Sequence, residues 1–296
     1  MSIDSVLQGA VDMHCHSYPE FSLDYRSTRM EDVEALTMCR DYGLKGVVFK
    51  SHMFPTTGTA YCLQKLVPGI TVYGSITLNA CCGGLNTISV DAAAKNGAKV
   101  IHMPTWSTKW DLDNKCVSEM CLKKYIPSAR SINASTAITA LNEDGTLRHE
   151  VKEILKLAKE LGLVVTTGHF SKEEGLKICA EAQKMNFNKL VWCHPLVIGA
   201  TDEDLIKAAS LGAYIEFTYL AMTPHYLVHS PQRVVDVIRV VGPEHIILTS
   251  DHAEQFSPPP AEMMRMWVAT LSALGTKEEA IRTMIVDNQW KLLDIS

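Results

Sequence analysis

Apolar and polar positions follow two alternating regimes along the chain. Short strand-length apolar runs occur at residues 10–16 (AVDMHCH), 46–52 (GVVFKSH), 70–78 (ITVYGSITL), 99–105 (KVIHMPT), 163–169 (LVVTTGH), 190–195 (LVWCHP), 213–219 (AYIEFTY) and 245–251 (HIILTSD). Several intervals between them carry helical periodicity. Residues 149–162 place Val151, Ile154, Leu155, Ala158 and Leu161 on one helical face and stop at Gly162. Residues 30–43, 201–212 and 230–242 also end on glycine, at Gly43, Gly212 and Gly242; Thr201 with an acidic first turn, and Ser230-Pro231, open the last two.

Strands alternating with helices imply right-handed βαβ units and a parallel sheet. Eight such units predict a (β/α)8 TIM barrel, one domain over residues 1–296, with its active site at the C-terminal ends of the strands. Within 106–147, the run STAITALNEDGTL (135–147) reads as a small strand-turn addition, and EQFSPPP (254–260) as a stiff exposed loop before C-terminal helices. In the first strand, period-2 alternation puts Asp12, His14 and His16 on one face, with Asp12 deeper and supporting the two histidines from below.

Composition narrows the function classes. The chain has 296 residues, 47% of them hydrophobic, and a net charge of −5 from 28 basic and 33 acidic residues, so nucleic acid is not an expected partner. The start, MSIDSVLQGA, lacks the charged and apolar regions of a secretory signal, and no apolar run is membrane-spanning in length. Nine cysteines, an odd number scattered from Cys15 to Cys193, read most simply as reduced thiols. A cytoplasmic protein acting on a small molecule is therefore expected, with no membrane partner. Barrels of this kind often form homo-oligomers.

The chemistry lies at the strand ends. His14 and His16 close the first run, Lys50 and His52 the second, His169 the fifth, His194 the sixth and Asp251 the eighth. A barrel brings these ends to one mouth, and a divalent metal needs three or four nitrogen or oxygen ligands from a rigid frame. On DMHCH, TTGH, WCHP and TSDH the chain resembles the amidohydrolase superfamily, metal-dependent hydrolases built on this barrel. The resemblance implies that His14, His16 and Asp251 hold one metal and that His169 and His194 hold a second, most simply zinc, with manganese or iron as alternatives. It also implies hydrolysis of an amide, cyclic amide, lactone or ester by a metal-activated water, with Asp251 moving the proton.

One departure from that pattern stands out. Many binuclear relatives bridge the metals with a carboxylated lysine or a glutamate from the fourth strand, where this chain offers only His102. Lys50, carboxylated by carbon dioxide, is the candidate bridge from the second strand; an amine contacting a substrate carboxylate or phosphate is the alternative. His52 is a catalytic candidate, bonding substrate or supporting a ligand. His102 reads as a core residue or a support, His252 as structural, and Glu216 as a residue of the mouth or of packing. His149, His225 and His229 carry no strong claim. The loops NACCGGLN (79–86) and HMFPTTGTAY (52–61), the latter with Thr56, Thr57 and Tyr61, are candidates for shaping the mouth. A metal-dependent decarboxylase, or a catalytically silent metal-binding barrel, would use the same scaffold.

Overall fold

The computed structural model describes residues 2–24, 26, 28–120 and 124–296. Eight parallel strands run in sequence order: β1 (Val11–Cys15), β2 (Gly46–Phe49), β3 (Thr71–Thr77), β4 (Ala98–His102), β5 (Val164–Thr166), β6 (Leu190–Trp192), β7 (Tyr214–Thr218) and β8 (Ile246–Thr249). Helices fill the intervals, giving the expected (β/α)8 barrel. The four helices anticipated from periodicity form at Asp32–Asp41, His149–Leu161, Asp202–Ser210 and Pro231–Val241. Gly162 caps the second of these in the left-handed region at φ 68°, while the Thr201 side chain caps the third by accepting from the Asp204 amide.

Two apolar layers build the core. One lies between the strands and the helix ring and contains Cys15, Phe49, Ile101, Trp192 and Leu248, with Leu36, Ile154 and Ile178 from the helices. The other fills the lower barrel interior with Val11, Met13, Val48, Val100, Val164, Val191 and Ile247, plugged from below by Leu292 and Leu293.

The strand pairing departs from strict alternation in β1. Its register against β2 shifts between Asp12 and Cys15. Met13 consequently packs in the interior layer with Val11, whereas Cys15 packs in the outer one. A bulge of this kind re-aims side chains beside a functional rim. Asp12 therefore does not sit beneath the two imidazoles. Its carboxylate accepts from the Ser250 amide at 3.0 Å and from the Ser250 hydroxyl, and from the His14 amide at 3.2 Å. Above this contact the barrel closes: the Asp251 amide donates to His14 O, and the His16 amide to His252 O, both at 2.8 Å. The seam between first and last strand is thus stitched by backbone of the candidate ligands themselves.

Other expectations change. His169, His194 and Asp251 lie two or three residues past the shorter strands, in the turns that follow them. Residues Thr57–Leu66 form a helix packed against β3, which leaves Tyr61 65% exposed away from the mouth; Thr56 is buried, its hydroxyl donating to Phe49 O at 2.7 Å. The 106–147 segment holds helical turns at Lys109–Asn114, Val117–Met120 and Pro127–Ser131, and the anticipated strand-turn is reduced to isolated bridges, Thr108 to Ile138 and Leu141 to Leu147. In 254–260, Ser257 and Pro260 are buried, so that stretch is only partly an exposed loop. The described cysteines are free thiols, and Cys121 lies outside the described residues. Among the described residues no helix is long and apolar enough to cross a membrane.

Candidate metal centre

The turns after β5, β6 and β8 are shaped to aim side chains inward. Gly168, at φ +61°, sits so close to Pro104 O and Met103 O that a Cβ would approach them to 2.3 and 2.4 Å. That position requires glycine, and it directs His169 into the mouth. His194 and Asp251 each adopt φ 51°, a left-handed conformation that costs a non-glycine residue about 1–3 kcal/mol. The surroundings hold both in place: His194 O accepts from the Val197 amide at 2.9 Å, and the Asp251 amide is fixed to β1 as described above.

Three acceptor atoms converge at the end of β1. His14 Nε2 lies 3.2 Å from His16 Nε2 and 3.1 Å from Asp251 Oδ1, and His16 Nε2 lies 3.5 Å from the same oxygen. His194 Nε2 is 3.8 Å from Asp251 Oδ2, its ring centroid 5.1 Å from that of His14, and His169 stacks edge-on against His194 at 5.4 Å. The five expected ligands from β1, β5, β6 and β8 therefore share one space. Lys50, one residue past β2 and 2% exposed, joins them with Nζ 2.9 Å from His14 Nε2.

Three imidazoles, those of His14, His52 and His169, are oriented by a carboxylate behind them. His14 Nδ1 donates to Glu216 Oε1 at 3.0 Å, and Thr249 Oγ1 donates to the same oxygen at 2.9 Å. Glu216 thus grips His14 from inside the barrel and does not line the mouth. His169 Nδ1 lies 2.5 Å from Asp111 Oδ2. Glu20 Oε1 stands 3.3 Å from His16 Nδ1 and 2.6 Å from His52 Nδ1, and His52 stacks on His16 at 4.5 Å and 9°. Carboxylates behind imidazoles fix the tautomer so that the other nitrogen presents its lone pair, the arrangement that metal-binding histidines use.

The electrostatics agree. Burial pushes the His14, His16 and His194 imidazoles below their ordinary value and His52 down to about 3, so these rings are neutral. Burial also raises the Asp251 carboxyl well above its usual range. Glu20 and Asp111 are buried too, which alone would raise them, yet the histidines they contact hold both carboxyls low. Neutral imidazoles and a buried carboxylate whose acceptor atoms face one another fit a divalent cation, which supplies the positive charge they lack.

Other residues fall where the sequence left them open or missed them. His102 is buried, with Nδ1 2.9 Å from Thr166 Oγ1 and its ring 5.9 Å from His14. His252 is buried against Pro258 O at 3.0 Å, in keeping with a structural role. The loop over 79–86 is a tight turn organised by Asn79, whose amide donates to His52 O at 3.0 Å and to Thr105 Oγ1 at 2.8 Å. His149 is on the outside of the barrel, while His225 and His229 pack on Phe256 and Phe217. Glu20 and Asp111 were not singled out from the sequence. Neither lies in a periodic segment; Glu20 had one signal, its position four residues after His16.

Over this cluster opens a mouth cavity lined by all six candidate ligands together with His52 and Glu20. Solved structures bear out the (β/α)8 fold. An amidohydrolase from Pseudomonas aeruginosa superposes with a TM-score of 0.69 at 12% identity, covering 99% of this chain and 98% of its own. A probable dipeptidase from the same organism gives 0.64 at 11%, covering 98% and 96%. A putative 2-pyrone-4,6-dicarboxylic acid hydrolase from Pseudomonas putida gives 0.55 at 13%, covering 97% of each. The chain belongs to a family of unknown function, DUF6282, whose model matches residues 9–216. Curated proteins return no match.

Proposed function

We propose that this protein is a metal-dependent hydrolase that opens an amide, cyclic amide, lactone or ester bond of a small molecule. The observation that carries the proposal is the mutual approach of His14 Nε2, His16 Nε2 and Asp251 Oδ1 within 3.1–3.5 Å, with His14 Nε2 held as an acceptor by the hydrogen bond from Nδ1 to Glu216. His14, His16 and Asp251 would hold one divalent ion, and His169 and His194 a second, with zinc, manganese or iron as the metal. When bound, the ion supplies Lewis acidity, acidifying a water and polarising the scissile carbonyl. Asp251, at the edge of the cluster beneath the mouth, takes the proton from the attacking water and passes it to the leaving group. His52, fixed by Glu20, faces the same cavity and donates to or accepts from the substrate. The names of the structural neighbours, which include an amidohydrolase and a dipeptidase, support the same class.

Lys50 decides between one ion and two. Carboxylated, it would offer carboxylate oxygens as further metal ligands; as an amine 2.9 Å from His14 Nε2, it occupies part of that space itself. His102, and not an acid or lysine, stands at the C-terminal end of β4, whose Lys99 is exposed; this favours, as a second reading, a one-metal decarboxylase on this scaffold. Turnover in ¹⁸O-labelled water over a panel of amides, lactones and esters and a second panel of aromatic and unsaturated carboxylic acids separates the two. Label in the acid product, dependent on added metal, supports hydrolysis. Loss of carbon dioxide without label in product supports the decarboxylase, and metal loading without turnover of either substrate class contradicts both.

A further inference from the structure

The upper wall of the mouth carries a charge that the metal chemistry does not use. Among the described residues lining the cavity, the titratable side chains are the candidate ligands, the Glu20–His52 pair, Glu254, Tyr226 and Cys116. Glu254 follows the β8 turn, three residues after Asp251, and its Oε1 accepts from the Tyr226 hydroxyl at 3.0 Å. Around it the wall is apolar, with Phe21, Val197, Leu220 and Val228. Burial raises the Glu254 carboxyl above its ordinary value, while His225 and Lys124, which are not part of the lining, draw it down. Its charge is also felt by Asp251 in the floor of the same cavity.

We infer that Glu254 selects substrates by charge: the mouth takes an apolar compound whose end distal to the scissile carbonyl carries an ammonium or another hydrogen-bond donor, and it rejects a carboxylate or phosphate there. Tyr226 donates to one oxygen of Glu254 and so fixes the carboxyl on the cavity wall. Among the described lining residues the one cation, Lys50, is at the floor among the candidate ligands, so a distal anion would meet the Glu254 carboxyl on the wall. Complementary charge at a partly desolvated wall gives specificity more than raw affinity, on the order of tenfold per contact.

This inference rests on the metal-dependent reading, and three hydroxamates of matched length test the two separately. 6-Aminohexanohydroxamic acid, hexanohydroxamic acid and adipic monohydroxamic acid are titrated calorimetrically into the zinc-loaded protein. The amine is expected to bind about tenfold more tightly than the carboxylate. Glu254→Gln should collapse that ratio to near unity, and Glu254→Lys should reverse it. The neutral hydroxamate reports whether each variant retains its site, and the lysine variant keeps the test open should the glutamine variant lose it. Equal affinities for amine and carboxylate, or an unchanged ratio in both variants, would overturn the charge selection and leave the metal site standing. Failure of all three to bind wild-type protein would overturn the metal reading and this inference with it.

Discussion

The two ends of the barrel interior are built from the same eight strands in opposite ways. The lower end is a dry layer of Val11, Met13, Val48, Val100, Val164, Val191 and Ile247 over a Leu292–Leu293 plug. The upper end buries His14, His16, Lys50, His102, Glu216 and Asp251. An apolar layer gains free energy from burial at every residue. The upper cluster does the reverse: it desolvates neutral imidazoles and a carboxylate and holds two backbone outliers, His194 and Asp251. Such an arrangement persists because the packed lower end and the helix ring sustain it.

Substitutions at the two ends should therefore fail in different ways. Asp251→Asn should lower turnover by about 10²–10⁴-fold while the barrel stays folded, as followed by single-turnover kinetics beside a thermal melt. Ile247→Ala, in the lower layer, should remove about 2–5 kcal/mol of stability in a denaturant titration and leave metal content per folded chain unchanged. If Asp251→Asn instead unfolds the chain and Ile247→Ala does not, the division between the ends is wrong. The supports come next in size. Glu216→Gln and Asp111→Asn should each weaken metal affinity about 10–100-fold in a competition titration against a chelator, with smaller effects on the melt.

The smallest expected effect is on pH dependence. His14, His16, His52 and His194 have folded pKa values below the ordinary 6.5, so as pH falls the unfolded chain takes up protons before the folded one. The imidazole contribution to the stability of the metal-free protein is then fully present above about pH 6.5 and is lost progressively towards the His52 value of about 3, while the raised Asp12 and Asp251 carboxyls act in the opposite sense. Melts of chelated wild-type protein and a His52→Gln variant from pH 8 to pH 4 should diverge, the wild type losing more stability; parallel profiles would mean that His52 is not buried neutral.

Much of this contrast was legible in the sequence, and its limits have physical causes. The barrel followed from two hydrophobic periods, which depend on local chain geometry. The candidate ligands followed from polar residues placed where apolar strands end. The bulge in β1 was not legible, because a one-residue slip leaves the composition of VDMHC unchanged; hence Asp12 was assigned to His14 and His16 when it binds Ser250. Glu20 and Asp111 were missed because their roles come from contacts across the fold, to His52 and to His169, that no local pattern encodes. The helix Thr57–Leu66 was missed for a different reason: Gly58, two β-branched threonines and a preceding proline gave its start the look of a loop.

The central claim is that His14, His16 and Asp251 bind a divalent metal, and metal content per chain tests it most directly. Wild-type protein and the His14→Ala/His16→Ala double variant are purified in parallel, checked for equal folding by circular dichroism, and measured by mass spectrometry of bound metals. The account predicts at least one zinc, manganese or iron ion per wild-type chain and close to none in the folded variant. A wild-type chain that takes up no divalent metal even when one is supplied, or a variant that retains the full complement, would contradict it.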